Sequence, residues 1–308
     1  MEIQRSMKVA VLLGGMSAER AVSLQSGAAV AGALRRRGWD VVEIDVGPDL
    51  PAQLAAHGVQ VAWLALHGRF GEDGCVQGLL EIMRIPYTGS GPAASAVAMD
   101  KLLTKRVLEG NGMALIPQVV LGAGDPIPSQ LQLPVVAKTP TGGSTLGISF
   151  CRTSEELEAG VADCRLHGEA VQLESFVEGV EITVAMLDGE PLPVVAIRPE
   201  GGFFDFEAKY TKGRTRYVVP ADIPPAAAER AQRDAAVAAR VLGLSGVCRA
   251  DFIVDPAGVP WFLEVNTIPG MTETSLSPMA AREAGMSFED LVEAVLLAAR
   301  NHLVPVGA

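Results

Sequence analysis

Positive charge is in short supply: 25 Lys and Arg stand against 36 Asp and Glu, a formal charge of -11 over 308 residues. A surface of that sign repels polyanions, which argues against sequence-independent binding to nucleic acid or to an anionic membrane, so any anionic ligand must meet local positive charge. Cysteine is scarce as well. Cys75, Cys151, Cys164 and Cys248 lie far apart, with no C-x-x-C or Cys/His metal spacing, and read as reduced structural thiols of a cytoplasmic protein. Long apolar runs are missing. Val9–Leu13 meets Gly14-Gly15 and then Glu19-Arg20, too soon for a signal peptide or a membrane span. There is no internal repeat. At 49% hydrophobic and only 20% charged residues the chain is not disordered, and its length accommodates two or three domains with cores of their own.

The most informative stretch runs from Arg249 to Asn266, where two apolar runs flank the turn cluster Asp255-Pro-Ala-Gly258. This predicts a β-hairpin. Alternation puts Arg249 and Asp251 on one face of the first strand and Glu264 and Asn266 on one face of the second. With the turn centred on Ala257-Gly258, Asp251 falls opposite Glu264 and Arg249 opposite Asn266. Opposed carboxylates repel unless something positive lies between them, and their oxygens suit the hard ion Mg²⁺, which borrows further ligands from phosphates. The plainer alternative is an exposed hairpin with solvated charges. Against it, Phe252, Val254, Leu263 and Val265 need a core to cover them.

The start of the chain reads as strand (Lys8–Leu13), glycine turn, helix to about Arg37, strand (Val41–Val46), a short helix around Leu54–His57 and strand (Val59–Leu66), the βαβ pattern of an open parallel sheet. Ligands gather at the carboxyl ends of such strands, so Gly14-Gly15 and Leu66-His67-Gly68 belong at one site. The glycines and His67 read equally well as turn residues and a satisfied surface histidine. Gly89-Ser-Gly91-Pro-Ala-Ala94 matches the G-x-G-x-x-[GA] dinucleotide fingerprint and opens an oxidoreductase alternative, but no convincing strand precedes it. It reads instead as a turn into the helix carrying Asp100 and Lys101.

Gly142 to Gly147 has P-loop glycine spacing without the lysine, since Ile148 stands in that place and Lys138 precedes the loop. Thr153-Ser-Glu-Glu156 forms a capping box, Asp188-Gly189 a hairpin turn, Gly201 to Arg216 a lid-like loop, Pro224 to Leu242 an alanine-rich helix, and Ser287 caps a terminal helix to about Asn301. The divisions expected are 1–90, an α/β substrate-binding domain; 91–177, a central subdomain with the glycine and serine loop; and 178–308, a subdomain with the hairpin and lid. The fold class is mixed, α/β and α+β, with the open parallel sheet followed by a two-part nucleotide-binding fold.

A carboxylate and amide hairpin, a glycine loop after Lys138, and further cations at Lys101, Lys209 and Arg249 suit a nucleoside triphosphate and phosphoryl transfer. In their order, Gly14-Gly-Met-Ser-Ala-Glu-Arg20, Leu66-His-Gly68, Gly71-Glu-Asp-Gly74, Pro86-Tyr-Thr-Gly-Ser-Gly91, Met99-Asp-Lys101, Glu207-Ala-Lys-Tyr210 and Glu264-Val-Asn-Thr-Ile-Pro-Gly-Met271 resemble the D-alanine–D-alanine ligases, enzymes of the ATP-grasp superfamily, over about residues 8 to 300. The resemblance implies an ATP-dependent ligase of peptidoglycan synthesis, cytoplasmic and homodimeric, with two Mg²⁺ ions for which Mn²⁺ can substitute.

By matching motif, Lys101 and Lys138 would hold nucleotide phosphates and Lys209 the γ-phosphate, while Glu174, Val177 and Glu181 would hold adenine and ribose. Asp251, Glu264 and Asn266 would ligate metal. Glu19 would pair with the ammonium of the first D-alanine near His67, Arg249 and the Gly270 backbone would stabilise an oxyanion, and Ser275 and Leu276 would receive the second D-alanine's carboxylate. Ser144 and Tyr210 would join Glu19 in a network closing the site, Tyr210 favouring D-alanine over D-lactate. The chain departs from the family where Gly142 and Ala21 stand in place of common acids, which bears on loop closure. Another ATP-grasp ligase and a non-catalytic nucleotide sensor are the remaining alternatives.

Overall fold

A computed structural model describes residues 2–141, 147–168, 170–199 and 215–303. Among these the chain forms three sheets. The first comes from β1 (Lys8–Leu13), α1 (Arg20–Arg36), β2 (Asp40–Asp45), α2 (Leu50–Ala56), β3 (Val61–Leu64) and α3 (Cys75–Met83). It is parallel, in the order β2-β1-β3, as the βαβ pattern predicts. Both faces of β1 are buried, the condition of a parallel strand. Val9, Val11 and Leu13 join the core of α1, and Ala10 and Leu12 that of α2 and α3. β3 is shorter than predicted because the Val59 N–H closes the turn after α2 onto Leu54.

The second sheet is antiparallel, in the order β5-β8-β6-β7. It follows α4 (Pro92–Met99), α5 (Lys101–Leu108) and β4 (Ala114–Leu115), and comprises β5 (Gln118–Leu121), β6 (Val135–Lys138), β7 (Ile148–Cys151) and, after α6 (Ser154–His167), β8 (Val171–Ser175). Its apolar face, with Leu121, Val135, Ala137 and Leu173, packs on Leu157, Val161 and Cys164 of α6. Thr153 and Glu156 cap that helix reciprocally, as their spacing predicts. The expected single helix carrying Asp100 and Lys101 is two helices. Asp100 takes an extended conformation between them, and its carboxylate accepts from the N–H groups of Leu102 and Leu103.

The third sheet contains β9 (Val180–Leu187), β10 (Glu190–Pro191), β11 (Val195–Pro199), β12 (Thr215–Val218), β13 (Val247–Val254) and β14 (Pro260–Asn266). Its order is β12-β11-β9-β13-β14-β4, with β10 on β9 and β4 parallel to β14. One face packs on α7 (Pro225–Leu242), where Ala227, Ala231, Ala235, Ala238 and Ala239 allow close approach to Ile182, Val184, Phe252 and Phe262. The chain closes with α8 (Leu276–Glu283) and α9 (Phe288–Leu297), whose Leu291, Val292 and Val295 share a core with Val9 and Trp63 of the parallel sheet. α9 stops short of Asn301 because Arg300 pairs with Tyr87 through two backbone hydrogen bonds.

The hairpin register is the predicted one, Asp251 opposite Glu264 and Arg249 opposite Asn266, although the route to it differs. Near the turn Phe252 faces Phe262 and Val254 faces Pro260, and a bulge between Asp251 and Phe252 restores the predicted pairing. The bulge places Leu263 outside the alternation. Phe262 therefore enters the core beside Phe252, in an edge-on contact of 5.8 Å, and Leu263 does not.

Candidate active site

The face of the third sheet opposite α7 carries Arg249 and Asp251 from β13, Glu264 and Asn266 from β14, and Thr183 opposite Asp251 on β9. Arg249 forks onto Asp251, Nε to Oδ1 at 2.8 Å and Nη2 to Oδ2 at 2.9 Å. The Thr183 hydroxyl donates to Oδ1 at 2.6 Å. Burial works against the guanidinium charge, but Asp251 outweighs it and drives the Arg249 pKa upward. Glu264 meets Lys101 Nζ at 3.1 Å. The Asn266 Oδ1 accepts from the Ile268 N–H at 2.9 Å, fixing the amide in a turn at the strand's end. Side-chain cations thus offset both opposed carboxylates.

Helix α5 links this face to the second sheet. Its first turn is tied down by the Lys101 N–H bonding the Pro140 carbonyl and by a bridge between Asp100 and Thr141. Lys101 then reaches Glu264, and one turn later Lys105 reaches Glu174 Oε1. Gln172 Nε2 also donates to that oxygen, at 2.7 Å, while Lys138 Nζ takes Oε2 at 2.7 Å. Gln118, Lys138, Gln172 and Glu174 share one face through the pairings of β5, β8 and β6. Burial tends to raise the Glu174 carboxyl, but Lys138 and Lys105 overcome it and hold it below the usual range. Burial, resisted by Glu174 and aided by Lys138, brings Lys105 down to about 8.

At the carboxyl ends of the parallel strands, Gly68 has φ +68°, and a Cβ there would lie 2.8 Å from Glu19 Oε2. The bare backbone lets the Glu19 carboxylate approach. The Gly68 N–H donates to Glu72 Oε2 at 2.5 Å, so two carboxyl groups meet at this glycine. Burial, with Glu19 and Glu264 nearby, pushes Glu72 up to about 8 against the Gly68 N–H and Arg249. His67 is buried rather than at the surface; its ring lies 3.3 Å from the Ser26 hydroxyl, and burial above all lowers it to about 4. The Ser26 hydroxyl also accepts from the Met271 N–H at 3.2 Å, joining α1 to the segment after β14. In that segment Gly270 lies beside Ser275, whose Oγ accepts from the Thr272 N–H, and Leu276 opens α8 with the free N–H groups of a helix start.

Asp251, Glu264, Asn266, Arg249 and Lys101 therefore come together. Lys138 and Glu174 form a second group, joined to the first through α5. Glu181 shares a strand face with Thr183, and Val177 lies between β8 and β9. Ser144, Lys209 and Tyr210 lie outside the described residues, as does Gly142. Sequence reasoning missed Lys105, Thr183 and Gln172 and gave Glu72 no role. Lys105 was discoverable, because it stands four residues beyond Lys101 on a helix and so shares its face.

Hard oxygen donors at Asp251, Glu264 and Asn266 fit a divalent cation of the Mg²⁺ kind. Among the described residues no three of His, Cys, Asp and Glu gather into a metal set, so phosphate oxygens would have to complete the coordination. The Gly89 turn does not fit a dinucleotide. Gly246 packs on Gly89, the His302 ring covers Gly91, and Ser90 is buried. No helix among the described residues is long and apolar enough to cross a membrane.

Residues 45–90 match the family model described as D-ala D-ala ligase N-terminus, and residues 123–297 the one described as D-ala D-ala ligase C-terminus. The D-alanine–D-alanine ligase of Syntrophotalea carbinolica is 49% identical over 97% of each chain. That of Geobacter sulfurreducens is 44% identical over 99% of this chain and 98% of its own. A crystal structure of the Bacillus anthracis D-alanine–D-alanine ligase complexed with ATP is 30% identical, with a TM-score of 0.84 over 95% of this chain and 97% of that one.

Proposed function

The chain belongs to the D-alanine–D-alanine ligase family, and from that membership we propose that it joins two D-alanines at the expense of ATP, for peptidoglycan precursors. The carboxylate of a first D-alanine takes the γ-phosphoryl group, giving an acyl phosphate and ADP. The amine of a second D-alanine attacks that carbonyl, and the tetrahedral intermediate expels phosphate and leaves the dipeptide. The observation that carries this reading is the hairpin face, where Asp251 opposes Glu264 and each carries a cation that an incoming ligand can displace.

Two Mg²⁺ ions, for which Mn²⁺ would substitute, would be held by Asp251, Glu264 and Asn266 and would neutralise phosphate charge. Lys101 and Lys138 attract the nucleotide's phosphates, and Glu174, Val177 and Glu181 border its base and ribose. Arg249, drawn off Asp251, and the Gly270 backbone stabilise the developing oxyanion. Glu19 receives the first substrate's ammonium in a pocket that neutral His67 helps to line. Ser275 and the start of α8 receive the second substrate's carboxylate, a role the helix dipole favours. The parts given to Ser144, Lys209 and Tyr210 rest on family motifs alone. The same reading includes the three-part division at residues 90 and 177, a cytoplasmic location and a homodimer.

Phosphate release should be measured with ATP and Mg²⁺ against D-alanine, L-alanine, and D-alanine mixed with D-lactate, with products weighed by mass spectrometry. D-Alanine alone should give one D-alanyl-D-alanine per phosphate. Release only with a different acid would keep the ATP chemistry and discard the substrate.

A further inference from the structure

The Glu174 cluster holds more positive charge than its carboxylate can balance. Two ammonium groups meet one carboxylate, and all three side chains are at least nine-tenths buried: Lys105 at 2%, Glu174 at 3% and Lys138 at 7% exposure. An excess of one buried positive charge is costly without an anion to match it. The two lysines are also not equivalent. Lys105 and Gln172 both hold Oε1, whereas Lys138 alone holds Oε2. Gln172 must donate here, because its Nε2 faces two acceptors, Glu174 Oε1 and Gln118 Oε1, and its own Oε1 is left buried without a partner. If Lys138 turns away from Oε2, Glu174 therefore keeps two donors on its other oxygen.

We propose that Lys105 is a positioning residue which, by holding Oε1 of Glu174, leaves Lys138 free to move from Oε2 to a phosphate of the nucleotide. This rests on the ATP reading above and adds a residue to it. Without Lys105, the buried carboxylate has Lys138 as its only cation and retains it, since separating them would strand a buried charge. Lys105 never needs to touch the nucleotide. It tunes how strongly Glu174 competes with phosphate for Lys138.

The test uses the full-length enzyme and two readouts: KM for ATP, and competitive inhibition by inorganic tripolyphosphate, which lacks the base and ribose that Glu174 borders. Lys105→Met should raise KM for ATP and the tripolyphosphate inhibition constant about tenfold, the equivalent of ~1.4 kcal/mol, with KM for D-alanine unchanged. Lys105→Arg should restore most of the loss. On a Glu174→Gln background the same Lys105→Met change should leave tripolyphosphate binding unaltered, because Lys138 is no longer captive. Where Lys105→Met alone folds poorly, Lys105→Gln, whose amide can still donate to Glu174 without carrying charge, makes the same comparison on both backgrounds, and thermal melting confirms that each variant compared is folded. An equal loss on both backgrounds would overturn the proposal, as would a Lys105→Met enzyme with wild-type tripolyphosphate inhibition. A wild-type protein that consumes no ATP would instead overturn the underlying reading.

Discussion

The hairpin face and the second sheet both surround carboxylates with cations, but in different proportions. On the hairpin Arg249 answers Asp251 and Lys101 answers Glu264, one cation to each carboxylate, and the Glu264 side chain remains 35% exposed. In the second sheet Lys105 and Lys138 share Glu174, the balance is positive, and water is nearly excluded. On the proposed reading, a face of such one-to-one pairs would trade its own cations for metal ions and so release Arg249 and Lys101 for negative groups on the substrates. A buried positive excess can only gain by receiving an anion. On the proposed reading the two clusters would divide a metal-bound nucleotide between them, with α5 carrying Lys101 to one and Lys105 to the other.

The contrast between the two clusters is open to direct test. The largest effect should come from undermining the hairpin face from behind. Phe262→Ala removes the ring that packs edge-on against Phe252, and denaturant unfolding should show a loss of about 3–5 kcal/mol. Glu264→Gln should cost less stability than that, because its side chain is partly exposed, and lower kcat by about 10²–10³, the usual cost of losing one preorganised charge contact. Thermal melting and steady-state phosphate release separate the two cases. Thr183→Val deletes the hydroxyl that donates to Asp251, and unfolding should register a loss of about 2 kcal/mol, the range for hydrogen bonds to charged groups.

The smallest effect concerns pH and centres on the Glu174 cluster. Burial, resisted by Glu174 and Glu264 and aided by Lys138, lowers the Lys105 pKa from 10.5 to about 8. In the ligand-free protein the unfolded chain binds the extra proton between those values. Stability from this group therefore rises as pH climbs from about 8 to 10.5. ATP affinity should move oppositely, weakening as pH passes 8 and the cation is lost. Calorimetric binding and melting curves across pH 7 to 10 check the two signs, and Lys105→Arg should flatten both.

Much of the hairpin was legible in the sequence because strand alternation and a marked turn leave few registers open. The pairing of Asp251 with Glu264 was found even though the turn is looser than assumed, since the bulge at Leu263 makes up the difference. That bulge is not legible; what selects it is the benefit of burying Phe262, a tertiary effect. The parallel sheet was read from its glycine turns and apolar strands. The short strand Gln118–Leu121 was not, because four residues amid glycine and proline carry little periodicity. The Glu174 cluster was seen only in part. Lys138 was singled out by its place before the glycine loop and Glu174 through a family motif, but two lysines converging on one carboxylate is a relation among three elements, and only the fold brings them together. His67 taught a similar lesson, since nothing local marks it as buried.

The division of the nucleotide between the two clusters is tested most directly by calorimetric titration of ATP, with and without Mg²⁺, into the wild type, Glu264→Gln and Lys138→Met. Glu264→Gln should bind metal-free ATP at least as tightly as the wild type and lose the strengthening that Mg²⁺ brings, whereas Lys138→Met should weaken binding in both conditions. If Glu264→Gln weakens metal-free ATP binding as much as Lys138→Met does, the two clusters do not divide the ligand and the account fails.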